Sequence, residues 1–255
     1  ISGRFGGFLL KIVNYLAKIG PSYIICDGNS IFKSFDSYNQ SKATTILNGV
    51  KVDLLQRTNQ LRKSGRKEFN IPKNTYVIGH VGRFTPWKGQ IKLVEAFIDY
   101  AKQNDQAILF LVGAPTFDSD TYLNNIKNII SDHDLNDKII LTGFRSDLNK
   151  MFSMMDVFMY PSMEKDTSPL VLISALVSGI PIGVSSIDSL NEITNGISTI
   201  TKFNVNDKLS IIDIFKKNEK VNFQEKQPII SELGQINNFD IARHSSEIIK
   251  VLNEI

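Results

Sequence analysis

Short apolar runs of strand length recur along the chain, and stretches with apolar residues at helical spacing separate them. The strand-like runs cover residues 23–26, 44–47, 76–81, 107–112, 138–142, 157–160, 181–184 and 198–201. The helical patterns cover residues 88–102, 121–131, 147–154, 169–178, 207–217 and 240–254. Because strands and helices that alternate in this way build a parallel sheet with helices on both faces, the predicted fold class is α/β and Rossmann-like.

Two further stretches raise the question of a leader or a membrane span. Apolar residues at helical spacing form a stripe near the start of the chain: Phe8, Leu9, Ile12, Val13, Leu16 and Ala17. Lys11 and Lys18 interrupt this stretch, which therefore predicts an amphipathic helix packed on a sheet and not a signal peptide. Residues 167–187 carry no charge, but serines, glycines and a proline divide them. We therefore predict a short helix, a turn and a strand there. The chain begins at Ile1 and not at a methionine, so we expect a piece of a longer protein.

A polar segment, residues 56–72, separates the first two strands from the others and contains a basic run at 61–67. The composition change predicts a domain boundary there. The basic run is interpreted as the solvated face of a helix, with a phosphate or membrane patch as the alternative.

Charge and cysteine content narrow the function classes. The 255 residues include 29 Lys and Arg against 26 Asp and Glu, which gives a net charge of +3. This is not the strong positive charge that nucleic-acid-binding proteins usually carry. Cys26 is the single cysteine, so neither an internal disulfide nor a Cys/His zinc site is available. A reducing, cytoplasmic setting is the simplest interpretation.

The run GHVGRFTPWKG, residues 79–89, leads from a predicted strand into a helix. Thr85 is the expected cap of that helix, and Gly82 gives the turn its backbone freedom. Arg83 and Lys88 bring two cations to a helix N-terminus that already favours anions. This chemistry suits a diphosphate; the alternative is two surface charges on a capped helix.

The run YPSMEKDTSPL, residues 160–170, has the same strand-to-helix design but carries carboxylates. Thr167 or Ser168 is the expected cap. Glu164 and Asp166 are suited to accept hydrogen bonds from sugar hydroxyls, and free backbone N–H groups at the helix start can meet phosphate oxygens, those of Leu170 and Val171. The alternative is an exposed acidic loop.

Other candidate motifs favour structural roles. Residues 118–120, Asp-Ser-Asp, are interpreted as a capping cluster and not as a metal-binding motif. His80 lies on an apolar strand, where a core histidine bonded to the backbone is favoured over a catalytic one. Cys26 ends an apolar run and is interpreted as a buried strand residue.

Several of these pieces together resemble a known family: GHVGRFTPWKG, LVG at 111–113, LTGF at 141–144, MDVFMYPS at 155–162, PLVLISALVSGIPI at 169–182 and ILNGVKVD at 46–53. They are similar to the nucleotide-sugar-binding half of GT-B glycosyltransferases, retaining family 4 (glycosyl transferases group 1). The resemblance implies three parts: 1–54, the end of an N-terminal acceptor domain and the crossover, a partial second Rossmann-like domain; 55–238, the donor domain; and 239–255, a helix that returns to the N-terminal domain.

The resemblance also assigns roles. Arg83 and Lys88 fall on the family's cationic pair, which binds the donor diphosphate and stabilises the departing nucleotide, so no metal or other cofactor is expected. Asp166 stands where the family has a glutamate that reaches the donor sugar, and Ser174 where a second glutamate binds the ribose. The implied catalytic residues are Arg83, Lys88 and Asp166, and the implied donor-binding residues are Gly82, Phe144, Thr167, Leu170, Val171 and Ser174.

The implied reaction transfers a sugar from a nucleoside diphosphate sugar to a hydroxyl acceptor with retention, in polysaccharide or glycoconjugate synthesis at the cell surface. The implied partners are this donor and an unknown hydroxyl acceptor, without nucleic acid. Peripheral contact with the inner face of the membrane, through N-terminal sequence outside this chain, fits a cytoplasmic location. We expect this chain alone to be an incomplete enzyme. Because Asp166 and Ser174 replace both glutamates, the alternative is a non-catalytic partner or nucleotide-binding subunit.

Overall fold

The computed structural model describes residues 4–115, 120–164, 166–219 and 237–254. The strands are β1 (Ile24–Cys26), β2 (Ala43–Thr45), β3 (Tyr76–Val81), β4 (Ala107–Val112), β5 (Ile139–Leu141), β6 (Val157–Tyr160), β7 (Ile182–Ser185) and β8 (Ile200–Phe203). The helices are α1 (Arg4–Ile19), α2 (Asn29–Phe32), α3 (Ser37–Gln40), α4 (Asn59–Glu68), α5 (Gln90–Ala101), α6 (Asp120–Asp132), α7 (Leu148–Met154), α8 (Leu170–Ser178), α9 (Asn191–Thr194), α10 (Lys208–Glu219) and α11 (Ile241–Glu254). Short 3-10 turns occupy Val52–Leu55, Pro86–Lys88, Asp188–Leu190 and Asn237–Phe239.

The central sheet has the strand order β5-β4-β3-β6-β7-β8, and every neighbouring pair is parallel. This is a doubly wound sheet in which the chain reverses its direction of winding between β3 and β6. Ligands of such sheets bind beyond the carboxyl ends of the strands at this switch point. The predicted α/β class is confirmed.

Both faces of the sheet are buried, as the continuous apolar runs predict. On one face, Val77 and Phe158 pack with residues of α7 and α8. On the other face, Ile78 and Met159 pack with residues of α5 and α10. Three predicted strands match the structure residue for residue, 76–81, 107–112 and 157–160. The uncharged stretch 167–187 forms α8 and β7, as predicted.

The basic run 61–67 lies on α4, and its interpretation as a solvated face is wrong for two arginines. Arg62 and Arg66 turn inward and pair with Asp156 at 2.6 and 2.9 Å. Asp156 also accepts from the backbone N–H of Val77 at 2.8 Å. Arg66 further donates to the carbonyl of Met154 at the end of α7, so these cations fasten α4 to the sheet.

The predicted N-terminal helix is present as α1, but the expectation that it packs on a sheet is wrong for the part of the chain that is described. The stripe residues Phe8, Leu9, Ile12, Val13 and Leu16 are each at least 40% exposed. Polar contacts hold α1 instead: Asn14 donates to the carbonyl of Ser34 and accepts from the backbone N–H of Asp36. Of the helices that are described, none has the length and apolar content needed to cross a membrane.

The last helix, α11, lies beside the segment that follows β2. The backbone N–H of Val50 donates to Phe239, and the N–H of Ile241 donates back to Val50. His244 and Arg243 both contact the carbonyl of Leu47. The bounds of the predicted domains stay a prediction.

Candidate functional site

Two loops meet at the switch point, one after β3 (residues 82–89) and one after β6 (residues 161–169). Met163 donates its backbone N–H to the carbonyl of Trp87 at 2.8 Å. Gly89 has φ +71°, and a Cβ there would come within 2.0 Å of the carbonyl oxygen of Pro161. Only glycine permits this close approach, so the two loops form one packed unit.

Lys88 is the link between the loops. It is buried, and its Nζ donates to the hydroxyl of Tyr160 and to Oδ2 of Asp166, both at 2.5 Å. The ammonium also lies 4.2 Å from the ring centroid of Trp87, a cation–π contact. Tyr160 in turn donates its hydroxyl proton to Asp166. The structure therefore joins two predicted site residues through a tyrosine that the sequence reading treated only as the end of a strand.

The electrostatics of this cluster favour a fixed charge pattern. Burial lowers the pKa of Lys88, and the attraction of Asp166 offsets part of that shift. Burial, followed by the charge of Asp166, raises the pKa of Tyr160 far above its usual range, so the phenol stays protonated and can donate. The cluster presents a cation whose partner carboxylate is held in place from two sides.

Arg83 lies at the same loop mouth and faces solvent. The pKa of Lys88 is lowered mainly by burial, and the positive charge of Arg83 lowers it further. Within the described parts of the chain, no carboxylate pairs with the Arg83 guanidinium. Its neighbour Gly82 is half-buried and donates its N–H to Val112 at the end of β4. An exposed guanidinium beside a buried ammonium suits an anion with several oxygens, as a diphosphate has.

The predicted cap of the first helix is wrong. Thr85 precedes the 3-10 turn Pro86–Lys88, but its hydroxyl makes no capping bond. The α-helix α5 begins only at Gln90, with Gly89 at its N-cap. The left-handed backbone of Gly89 replaces a side-chain cap because the chain must turn sharply where the two loops touch.

The predicted caps of the second helix, Thr167 and Ser168, are also wrong, since Pro169 occupies the N-cap of α8. Ser168 instead accepts from the backbone N–H of Asn48 at 3.0 Å, and the Asn48 amide donates to the Ser168 carbonyl at 2.8 Å. Ser168 thus ties this loop to the segment after β2. Sequence reasoning missed Asn48, whose partner lies 120 residues away.

The N-terminus of α8 offers free donors to this cleft. The first backbone bond at this end runs from Ile173 to Pro169, so within the described chain the N–H groups of Leu170 and Val171 have no backbone acceptor. Ser174 lies one turn further on, only 5% exposed, and its hydroxyl donates to the Leu170 carbonyl at 2.7 Å. Phe144, on the loop after β5, is 78% exposed.

Residues before β2 also reach this cleft. A Cβ on Gly28 would lie 3.0 Å from the Cβ of Thr167. Glu192, on α9, accepts from the backbone N–H and the side-chain amide of Asn29 at 2.7 and 2.8 Å. Sequence reasoning missed Glu192 and Asn29, because only the folded chain brings them together.

The remaining candidates keep structural roles. His80 is buried and bonds through Nδ1 to the Met159 carbonyl at 2.9 Å, which confirms the core histidine. Cys26 is 2% exposed, and burial raises the pKa of its thiol. Of the proposed capping cluster 118–120, residues 118 and 119 lie outside the described residues. In the described ranges, no three His, Cys, Asp or Glu side chains are grouped as a metal ion would need.

Comparison with known proteins places this geometry in a family. The family model "Glycosyl transferases group 1" matches residues 62–221. A curated relative from Escherichia coli, UDP-Gal:alpha-D-GlcNAc-diphosphoundecaprenol alpha-1,3-galactosyltransferase, is 30% identical over 156 residues, 59% of this chain and 38% of the relative. The O-antigen biosynthesis glycosyltransferase WclY of Escherichia coli is 23% identical over 201 residues, 76% of this chain and 53% of the relative.

Solved structures show the same fold. The crystal structure of Anabaena HepE in complex with UDP and glucose superimposes with a TM-score of 0.84 at 20% identity, over 96% of this chain and 67% of that chain. The fold is thus that of the GT-B glycosyltransferases. This chain spans about half the length, or less, of the curated relatives it matches. Because the family model covers well over half of the chain, the chain belongs to the glycosyl transferases group 1.

Proposed function

We propose that this chain is the donor-binding part of a glycosyltransferase that moves a sugar from a nucleoside diphosphate sugar to a hydroxyl acceptor. The observation that supports this most strongly is the buried Lys88, paired with Asp166 and placed beside the exposed Arg83 at the switch point. Two cations and the free N–H groups at the start of α8 make this cleft complementary to a diphosphate.

The chemistry of the proposed site follows from charge. When the bond between the anomeric carbon and the diphosphate breaks, negative charge builds on the phosphate oxygens. Arg83 and Lys88 would stabilise that charge in the transition state without a metal ion, and Lys88 still has one N–H beyond its two bonds. Asp166 would accept a hydrogen bond from a sugar hydroxyl. Retention of configuration belongs to the proposal through the family resemblance.

The names of the comparison proteins suggest the donor. The Escherichia coli relative is named for UDP-galactose, and the HepE crystal contains UDP and glucose. We therefore propose a UDP-hexose as donor. The word O-antigen in the name of WclY supports a role in cell-surface polysaccharide synthesis.

A second candidate is a non-catalytic partner that binds a nucleotide without turning it over. The position of Ser174 favours this alternative, because its hydroxyl is buried and already donates to Leu170. A serine in that state replaces the charged group that the family resemblance places there. The two candidates differ in turnover and not in nucleotide binding.

Calorimetric titration of the chain with UDP, GDP and ADP tests the proposal. We expect UDP to bind and Arg83→Ala to weaken binding by about 1.5 to 3 kcal/mol, the range of a charge-assisted hydrogen bond. Lys73→Ala is the matched control, because it removes one exposed cation just before β3, at the opposite edge of the sheet. It should leave the affinity unchanged.

A folded wild-type chain that binds none of the three nucleotides would contradict the donor site. Release of UDP from a UDP-hexose in the presence of acceptor then separates the two candidates. We expect no transfer by the 255-residue chain alone, since it spans only part of its relatives, and transfer once the N-terminal part is supplied. A longer protein that binds UDP but never turns over is the non-catalytic partner.

A further inference from the structure

Gln90 is a buried polar side chain directly beneath the loop that carries Arg83. It is the first residue of α5 and is 0% exposed. Its amide nitrogen donates to the backbone carbonyl of Arg83 at 2.7 Å and lies 3.3 Å from Nε2 of His80. Among the residues that the structure describes, no donor reaches its amide oxygen Oε1.

The neighbours of Gln90 fix which way its amide points. His80 must carry its proton on Nδ1, because that atom faces the Met159 carbonyl. Burial lowers the pKa of His80 to about 4, so Nε2 is an acceptor at neutral pH. The Arg83 carbonyl is also an acceptor. Only the NH₂ group of Gln90 satisfies both, and this orientation leaves Oε1 without a partner.

A buried amide oxygen without a partner costs free energy, and a methionine of similar length would avoid that cost. The two N–H donors of Gln90 offset this cost, since each of them meets an acceptor. The shorter of the two Gln90 hydrogen bonds ends on the backbone carbonyl of Arg83. The Arg83 guanidinium faces solvent and has no carboxylate partner in the described chain. In the described chain, the hydrogen bond that holds Arg83 is therefore the one on its backbone carbonyl.

We propose that Gln90 is a positioning residue, which holds the Arg83 carbonyl and thereby aims the guanidinium into the mouth shared with Lys88. The neighbouring backbone bonds agree with this role: Gly82 donates to Val112, and the N–H of Phe84 donates to Ala114. The Phe84 N–H and the Arg83 carbonyl belong to the same peptide, so the Gln90 bond holds the second polar group of a peptide that is already anchored on one side. The effect on nucleotide affinity rests on the proposed function, whereas the effect on the loop does not.

A double-mutant cycle measures the coupling. Gln90→Met should weaken UDP binding ~3- to 10-fold, the range of a lost neutral hydrogen bond. In the Arg83→Ala background the same change should have no further effect on UDP binding. Uridine, which lacks phosphates, should bind the wild type and Gln90→Met equally. Gln103→Met, at an exposed position after the other end of α5, is the matched control. Equal weakening in both backgrounds, or no weakening when Gln90→Met is made in the chain that keeps Arg83, would overturn the proposal.

Hydrogen exchange gives a readout that needs no nucleotide. The Phe84 amide bonds to the Ala114 carbonyl at 3.1 Å, so its protection reports whether the loop stays anchored. Exchange at Phe84 should speed up in Gln90→Met and not in Gln103→Met. Unchanged exchange would show that Gln90 does not hold the loop. If the wild type binds no UDP but exchange at Phe84 still speeds up in Gln90→Met, the proposed function fails, whereas the role of Gln90 in holding the loop is supported.

Discussion

Lys88 and Asp166, 78 residues apart in the chain, form a buried ion pair of 2.5 Å that closes the gap between the two switch-point loops. Their side chains are 9% and 15% exposed. The pair is also bridged by Tyr160, which contacts both partners. The charge of Lys88 is therefore balanced before any nucleotide arrives, and an incoming diphosphate must share Lys88 with Asp166.

Asp166→Asn tests this competition. The substitution keeps the shape but removes a negative charge next to Lys88, so we expect UDP to bind more tightly, by about 1 kcal/mol for a partly screened charge. A UDP-hexose should gain less, because the proposed bond from Asp166 to the sugar is weakened. Asp137→Asn, an exposed aspartate just before β5, is the control. Weaker UDP binding in Asp166→Asn would show that the carboxylate supports the phosphate site and does not compete with it.

Asp156 is expected to be one of the main polar supports of the fold. It faces Arg62 and Arg66, whose side chains are 16% and 5% exposed. Asp156→Asn leaves these cations without their carboxylate, and removal of one partner from a buried ion pair costs about 3 to 5 kcal/mol. Asp105→Asn breaks an ion pair with Lys138 in which the aspartate is 96% exposed, and should cost less than about 1 kcal/mol.

Urea unfolding of both variants checks this difference. If Asp156→Asn is no less stable than Asp105→Asn, the arginines find other partners and the cluster does not fasten α4 to the sheet.

His80 should make the protein less stable in acid. Burial lowers its pKa from 6.5 to about 4, so the unfolded chain takes up a proton before the folded one does. The contribution of the neutral, buried His80 to the free energy of unfolding is complete above pH 6.5 and is lost as the pH falls towards 4. The difference between these pKa values corresponds to roughly 3 kcal/mol.

His80→Gln cannot titrate, so its free energy of unfolding should fall less between about pH 7 and about pH 4 than that of the wild type. His133→Gln, an exposed histidine on the loop after α6, is the control. Identical pH profiles for wild type and His80→Gln would mean that His80 titrates normally in the folded protein.

Ser174→Glu asks whether this position faces the ribose. Comparison of UDP with 2′-deoxy-UDP supplies an internal control, because only the ribose hydroxyl differs. The wild-type serine already donates to Leu170, so we expect little preference between the two ligands. A glutamate that accepts from the hydroxyl should raise the preference for UDP about tenfold, the strength of a bond to a charged group. An unchanged ratio would show that Ser174 is misaligned with the family motif.

The sheet was predictable because strands buried on both faces are continuous apolar runs, as in 76–81 and 107–112. The sequence also allowed us to predict Arg83, Lys88 and Asp166 as site residues, since each follows a predicted strand at the edge where parallel sheets bind ligands. The amphipathic stripe of α1 predicted a helix correctly. Its packing was wrong, because a stripe shows which face is apolar and not what covers it.

The contacts between distant parts of the chain could not be predicted. The basic run 61–67 was interpreted as the face of a helix, but its local sequence does not show that arginine bonds to Asp156 and to α7 hold α4 in place. Tyr160 ends an apolar strand, and nothing in its local sequence indicates that it contacts Lys88. Asn48 and Glu192 are ordinary surface residue types whose partners emerge only from folding.

Amide chemical-shift mapping of the chain during a UDP titration locates the bound nucleotide. We expect the largest shift changes at Gly82, Gly89, Leu170 and Val171, where the two loops and the start of α8 meet. The chemical shifts of amides at the opposite edge of the sheet, such as those of Lys73 and Asp137, should not change. Saturable shift changes centred on that opposite edge, with the resonances of the loop amides unchanged, would show that the nucleotide does not bind at the two loops.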